Sequence, residues 1–142
     1  MTISQALKEK NKKVAKLNKL WDRFHQSNSR VEGTEVSYHA TDLWQDINSE
    51  THALVELKTK IHIASEPVRS DIFAMSELKS TAHRLRGLNT QKGIITNRYD
   101  NNAQLMVCDF DTLWKDANIE ALEVKIEELQ DKLDSFNHTT HI

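Results

Sequence analysis

Three carboxylates, Asp42, Asp46 and Glu50, stand at i, i+4 and i+8 and so share one edge of any helix that carries them. Carboxylates gathered this way can hold a cation or, where one is buried, keep a raised pKa for acid–base work. With His52 and His62 following on the same segment, they define a candidate site for a small-ligand- or metal-binding helical-bundle enzyme. The plainer reading is a wet acidic stripe. Glu50 departs from it, because the heptad register turns that residue inward, where a charge needs a partner.

The remaining reactive side chains gather less well. Of seven histidines, only His138 and His141 have a ligand-like spacing, and they fall on a tail expected to fray, with no thiol or carboxylate beside them. Di-iron bundles use Glu-x-x-His pairs, which this sequence lacks. The single cysteine, Cys108, lies near Val107 and Phe110 and reads as a small buried hydrophobe. There is no Gly-x-Ser-x-Gly, and three scattered glycines form no phosphate loop. No catalytic, cofactor-binding or metal-ligating residue is therefore assigned. For nucleic acid, the nearest basic patch with an aromatic is Arg84, Arg86, Lys92, Arg98 and Tyr99, the weakest of the three functional readings.

Charge and composition narrow the classes further. Nineteen basic and 21 acidic residues leave a net charge of −2, which favours neither non-specific nucleic-acid binding nor a membrane surface. The opening MTISQALKEKNKK has no apolar signal-peptide core and no apolar run exceeds four residues, so a cytoplasmic protein without membrane spans is expected. A length of 142 residues suits one domain, and only 3 Gly and 1 Pro favour long helices.

Apolar periodicity supplies those helices. Ile3, Leu7, Val14, Leu17, Trp21 and Phe24 recur at threes and fours, with Lys10 in the one polar slot, and Thr2 and Gln5 form a capping box. Ala40, Leu43, Ile47, Leu54, Leu57, Ile61 and Ala64 repeat the pattern, with Glu50 as the polar intruder and Pro67 as the stop. Folding these two segments as an antiparallel hairpin about the SNSRVEGT loop brings Lys10 towards Glu50, a candidate pair that fixes register. Ser70 and Asp71 read as the cap of a third helix carrying Met75, Leu78, Ala82, Leu85 and Leu88, with Gly93 as its stop. The run around Leu105 and Val107 is too short for a helix and reads as an extended segment with no second strand in the chain. From Asp109 or Asp111, a fourth helix carries Ile119, Leu122, Ile126, Leu129, Leu133 and Phe136.

The carboxyl end, with RYDNN, an apolar run, an Asp-led helix of pattern LxxKIxxLxxKLxxxN and Asn137-His138-Thr139-Thr140, resembles the septicolysin-like family of small uncharacterised bacterial proteins. So does Ser4-Gln5-Ala6-Leu7 near the start. The resemblance spans most of the chain loosely and its two ends specifically. His138 stands where that family has Trp, and His62-Ile63-Ala64-Ser65 replaces its Asn-x-Thr-Asn turn. It implies a helical architecture and transfers no catalytic residue. The family name suggests a cytolysin, for which this chain offers no export signal and no membrane-length segment.

The sequence therefore predicts an all-α fold, an antiparallel four-helix bundle in a single domain 1–142. Its helices lie at about 2–27, 38–65, 71–92 and 110–136, with a short extended segment before the last. The leading functional reading is a non-enzymatic protein that assembles into a homo-oligomer. Lys10, Glu50, Trp21, Trp44, Trp114, Leu105 and Val107 are its register or interface candidates.

Overall fold

A computed structural model describes residues 1–96, 99 and 102–142. Among them the chain is mostly helical: α1 (Ile3–Ser27), α2 (Ala40–Ala64), a 3₁₀ turn (Glu66–Val68), α3 (Arg69–Arg86), β1 (Gly93–Thr96), β2 (Ala103–Met106) and α4 (Thr112–Thr139). Two compact units emerge, one of Met1–Arg69 with Asp134–Ile142 and one of Ser70–Leu133.

In the first unit α1 and α2 pack against each other over Leu17, Leu20, Leu43 and Ile47, with Phe24 and Leu54 at the margins. The expected α2 seam is observed. That of α1 is shifted: Ala6 and Leu20 are buried, whereas Val14 and Trp21, both expected on the seam, are exposed. The buried and half-buried line runs Ile3, Ala6, Lys10, Lys13, Leu17, Leu20, Phe24, a strict three–four alternation that faces two lysines towards α2. Thr2 caps α1 in the expected capping box, its hydroxyl accepting the Gln5 amide while the Gln5 side chain accepts the Thr2 amide. The tail expected to fray is instead tied down. Ile3 N–H donates to the Thr140 carbonyl at 2.8 Å, Ile142 N–H donates to the Met1 carbonyl at 3.1 Å, and Thr2 pairs with His141 as an isolated antiparallel bridge. These bonds lie beside Ile3 and Ala6, both of which are buried.

α2 ends at Ala64, two residues ahead of Glu66, and Pro67 sits in the first turn of the 3₁₀ segment, where its missing amide costs nothing. α3 therefore starts at Arg69 directly from that turn and not from a Ser70–Asp71 cap. Arg69 spans the junction, donating to the His62 carbonyl and to Glu66.

In the second unit α3 stops at Arg86, six residues short of the expected Lys92. The Gly87 and Leu88 amides turn back onto Arg84 and Leu85, and the Asn89 side chain accepts from Gln91 N–H, which together unwind the last turn. Gly93, expected to stop the helix, begins β1 at φ +101. β1 pairs antiparallel with β2, placing Ile94 opposite Leu105 and Ile95 opposite Gln104. The extended segment thus has a partner strand in its own chain, which corrects the expectation of an unpaired run. The hairpin's base is fastened by the Thr90–Thr112 hydroxyl bond at 2.9 Å and by Lys115, which donates to the Leu88 carbonyl. Asp111 caps α4 by accepting the Trp114 amide.

Candidate functional site

The inward-facing acid of α2 is where charge and burial meet most closely. Glu50 leaves 17% of its side chain exposed and accepts from Lys16 Nζ at 2.6 Å, with Lys13 Nζ at 3.7 Å from the other oxygen. The bond from Lys16 holds the Glu50 carboxyl below its ordinary range, against a desolvation that pushes it up, with help from the Lys13 charge. The same bond raises the Lys16 ammonium. Lys10, the partner expected, is not the one engaged: Glu50 reaches the lysines one and two turns further along α1. The lysines level with Glu50 along the hairpin are Lys13, on the line that faces α2, and Lys16, which reaches in from an exposed position. A low-pKa carboxylate clamped by two ammonium groups is a poor general base.

Of the other carboxylates, Asp46 is exposed and acts on Lys16 only through its charge, and Asp42 is exposed; His52 is exposed with its Nε2 3.5 Å from Glu56, and His62 is exposed. Among the described residues no group of three or more His, Cys, Asp or Glu could hold a metal ion. His138 is on α4 with its Nδ1 against the Asp134 carbonyl, and His141 is in the terminal bridge. Cys108 is half-buried, its thiol directed at the Thr90 carbonyl.

At the loop end of the α1–α2 hairpin, Trp21, Phe24 and Trp44 form one aromatic cluster. Trp21 meets Phe24 edge-on at 5.9 Å and Trp44 at 6.1 Å, and His25 stacks on Trp21 at 5.7 Å. Arg23 covers the Tyr38 ring at 4.7 Å. The two tryptophans thus seal the hairpin end while leaving part of each ring in solvent. Trp114 stacks on Phe110 at 4.1 Å beside the α4 cap.

The basic patch of α3 is partly neutralised. Arg86 pairs with Glu123 of α4 at 2.7 Å, while Arg84 and Lys92 are exposed. Arg98, with most of the RYDNN motif, lies outside the described residues. Arg86 and Lys79 line one wall of a cleft of about 400 Å³ whose other wall carries Glu123, Glu127 and Asp131. Lys132 of α4 pairs with Asp71 of α3 at 2.8 Å. Oppositely charged margins therefore join α3 to α4, whereas Ala82 and Leu133 are the only apolar side chains of the two helices that are buried.

Leu105 and Val107 are exposed, as are Ile94, Phe110 and Leu113 of the same unit. The sequence places no strand at Ile94, because Gly93 reads as a helix end, although the β-branched run Ile94-Ile95-Thr96 carries a strand signal. Among the described residues no helix is long and apolar enough to cross a membrane. No family model, curated protein or solved structure matches this chain.

Proposed function

We propose that this chain is a non-enzymatic subunit that assembles with copies of itself into a cytoplasmic homo-oligomer, and that its α3–α4 pair becomes part of an antiparallel four-helix bundle on assembly. The half-covered seam of that pair carries the reading. Met75, Leu78 and Leu85 on α3 and Ile119, Leu122, Ile126 and Leu129 on α4 keep a strict heptad spacing, yet each stays only half-buried. Helices whose apolar stripes meet only at their edges gain more by closing on a second pair. The charged margins support this, since Arg86–Glu123 and Asp71–Lys132 orient the pair without filling its centre. Membership of the septicolysin-like family belongs to the same proposal and rests on Ser4-Gln5-Ala6-Leu7 and Asn137-His138-Thr139-Thr140.

Multi-angle light scattering and sedimentation equilibrium on the intact chain at micromolar concentrations test it. A mass of two or more times 16.4 kDa is expected. A strict monomer at tens of micromolar would end the proposal.

A further inference from the structure

Two helices of this chain each carry a line of like charge, and the two lines are complementary in sign and spacing. On α1, Lys8, Lys12, Lys16, Lys19 and Arg23 follow one another at steps of four, four, three and four, which places them along one side of the helix with no acid among them. On α4, Asp116, Glu120, Glu123, Glu127 and Asp131 follow at steps of four, three, four and four, with no base among them. Lys115, Lys125 and Lys132 fall on other sides of α4. Read from its carboxyl end, the acidic line has the step order of the basic one. Lys8 is half-exposed and the other nine are exposed. Among the described residues, the only ion pairs these ten charges make are Lys16 with Glu50 and Glu123 with Arg86.

We infer that the basic line of α1 docks on the acidic line of α4 in a second copy of this chain, with the two helices antiparallel. In that register Lys8 meets Asp131, Lys12 meets Glu127, Lys16 meets Glu123, Lys19 meets Glu120 and Arg23 meets Asp116. Both lines are about 22 Å long at a rise of about 1.5 Å per residue. The inference rests on the assembly reading above and goes further, since it names a charged contact outside the apolar seam of α3 and α4. Charge complementarity selects the occupant. A nucleic acid would match α1 and be repelled by α4, and a basic peptide would do the reverse, whereas a copy of this chain satisfies both lines at once. Because each copy presents one line of each sign, the contact can repeat from copy to copy. Exposed ion pairs are individually weak and screened by salt, so five in register give a contact that forms at low ionic strength and dissolves at high.

Sedimentation equilibrium tests the contact on the wild type, on Lys12→Glu/Lys19→Glu and on Glu120→Lys/Glu127→Lys, with far-UV circular dichroism as the fold control. At low salt, on the order of 20 mM, the wild type is expected to have a higher average mass than either variant alone, and at about 500 mM to lose that excess. An equimolar mixture of the two variants is expected to recover the wild-type mass, because each reversed line then meets its complement on the other variant. A wild type that is monomeric at low salt overturns both the inference and the assembly reading. An assembled wild type whose folded variants keep its mass, or fail to recover it on mixing, overturns the inference alone and leaves assembly through the apolar seam standing. If a double variant loses helicity, Lys12→Glu and Glu127→Lys, which oppose each other in the proposed register, are compared and mixed in the same way. Salt-sensitive binding of the wild type to a single-stranded oligonucleotide, in place of self-association, would assign the basic line to nucleic acid and refute the inference.

Discussion

Glu50 shows how a charge is accommodated between two packed helices. Its carboxylate lies among Ile47 and Leu54 on the α2 seam, where Lys16 and Lys13 reach it from α1. Lys10 and Lys19 stand about one turn to either side of that pair, so the acid stays paired through small slides of α1 and the apolar packing of Leu17, Leu20, Leu43 and Ile47 sets the register. The pH dependence follows from the directions of the two shifts. Glu50 is lowered on folding from 4.5, so its contribution is complete above that value and is lost as pH falls through the lower folded pKa. Lys16 is raised from 10.5, so its share is complete below that value and is lost as pH rises through the higher folded pKa. Glu50→Gln is expected to lower stability at neutral pH by on the order of 1 kcal/mol, because Lys16 is largely exposed and its pairing is screened. Urea melts at pH 3 and pH 7 check this: the gap between wild type and variant is smaller at pH 3, and a gap of the same size at both values would contradict the assignment. The sequence identified Glu50 as the inward charge but chose the wrong lysine. Lysines at 8, 10, 12, 13, 16 and 19 crowd α1, and which of them reaches Glu50 depends on the axial alignment of the two helices, set by the packing of Leu17 and Leu20 on Leu43 and Ile47.

At the scale of elements, long-period patterns were legible and short-range exits were not. All four helices are readable because each repeats its apolar spacing over several turns, and the Thr2 capping box is readable because its chemistry is local, whereas the start of α4 stays open between Asp109 and Asp111 until the Trp114 amide is seen to bond Asp111. The end of α3 and the first strand were not. Leu88 follows Leu85 by three residues and extends the apolar stripe, and the local bonds of Gly87, Leu88 and Asn89 together with those of Thr90 and the Leu88 carbonyl to α4 draw that segment out of the helix. The tail was misjudged for a related reason, since its partner strand, Met1–Thr2, lies at the opposite end of the sequence. Gly93 connects α3 to the sheet, and its backbone at φ +101 is one that side chains rarely adopt. A Cβ built there meets nothing within 4 Å, so Gly93→Ala is a test of backbone strain free of steric clash. The substitution is expected to cost about 1–2 kcal/mol, felt locally. Amide exchange should quicken at Ile94–Thr96 and Ala103–Met106 while the α1–α2 amides keep their protection. Uniform acceleration across both units would show that the hairpin is not a separable element.

For the whole molecule the accounting concerns what remains uncovered. Nine apolar side chains are buried among the described residues, against twenty large ones left exposed, and the latter include Ile94, Leu105, Val107, Phe110 and Leu113 in one stretch of the second unit. Scattered exposed apolar residues are ordinary, whereas these five fall in one short stretch beside a half-covered helical seam, the surface on which the proposed assembly rests. If copies supply it, native stability is linked to concentration, because association draws only on the folded state. A hundredfold rise in chain concentration, from about 1 to 100 μM, then favours a folded dimer by about 2.7 kcal/mol, which for a chain of this length amounts to several degrees in the thermal midpoint. Leu105→Lys removes part of that slope even if its helicity is unchanged, because it weakens association without touching the α1–α2 core. Differential scanning calorimetry over this range distinguishes the cases. A midpoint that climbs for the wild type and flattens for the variant places the association at the hairpin, whereas one independent of concentration for both would mean that each copy folds and remains alone.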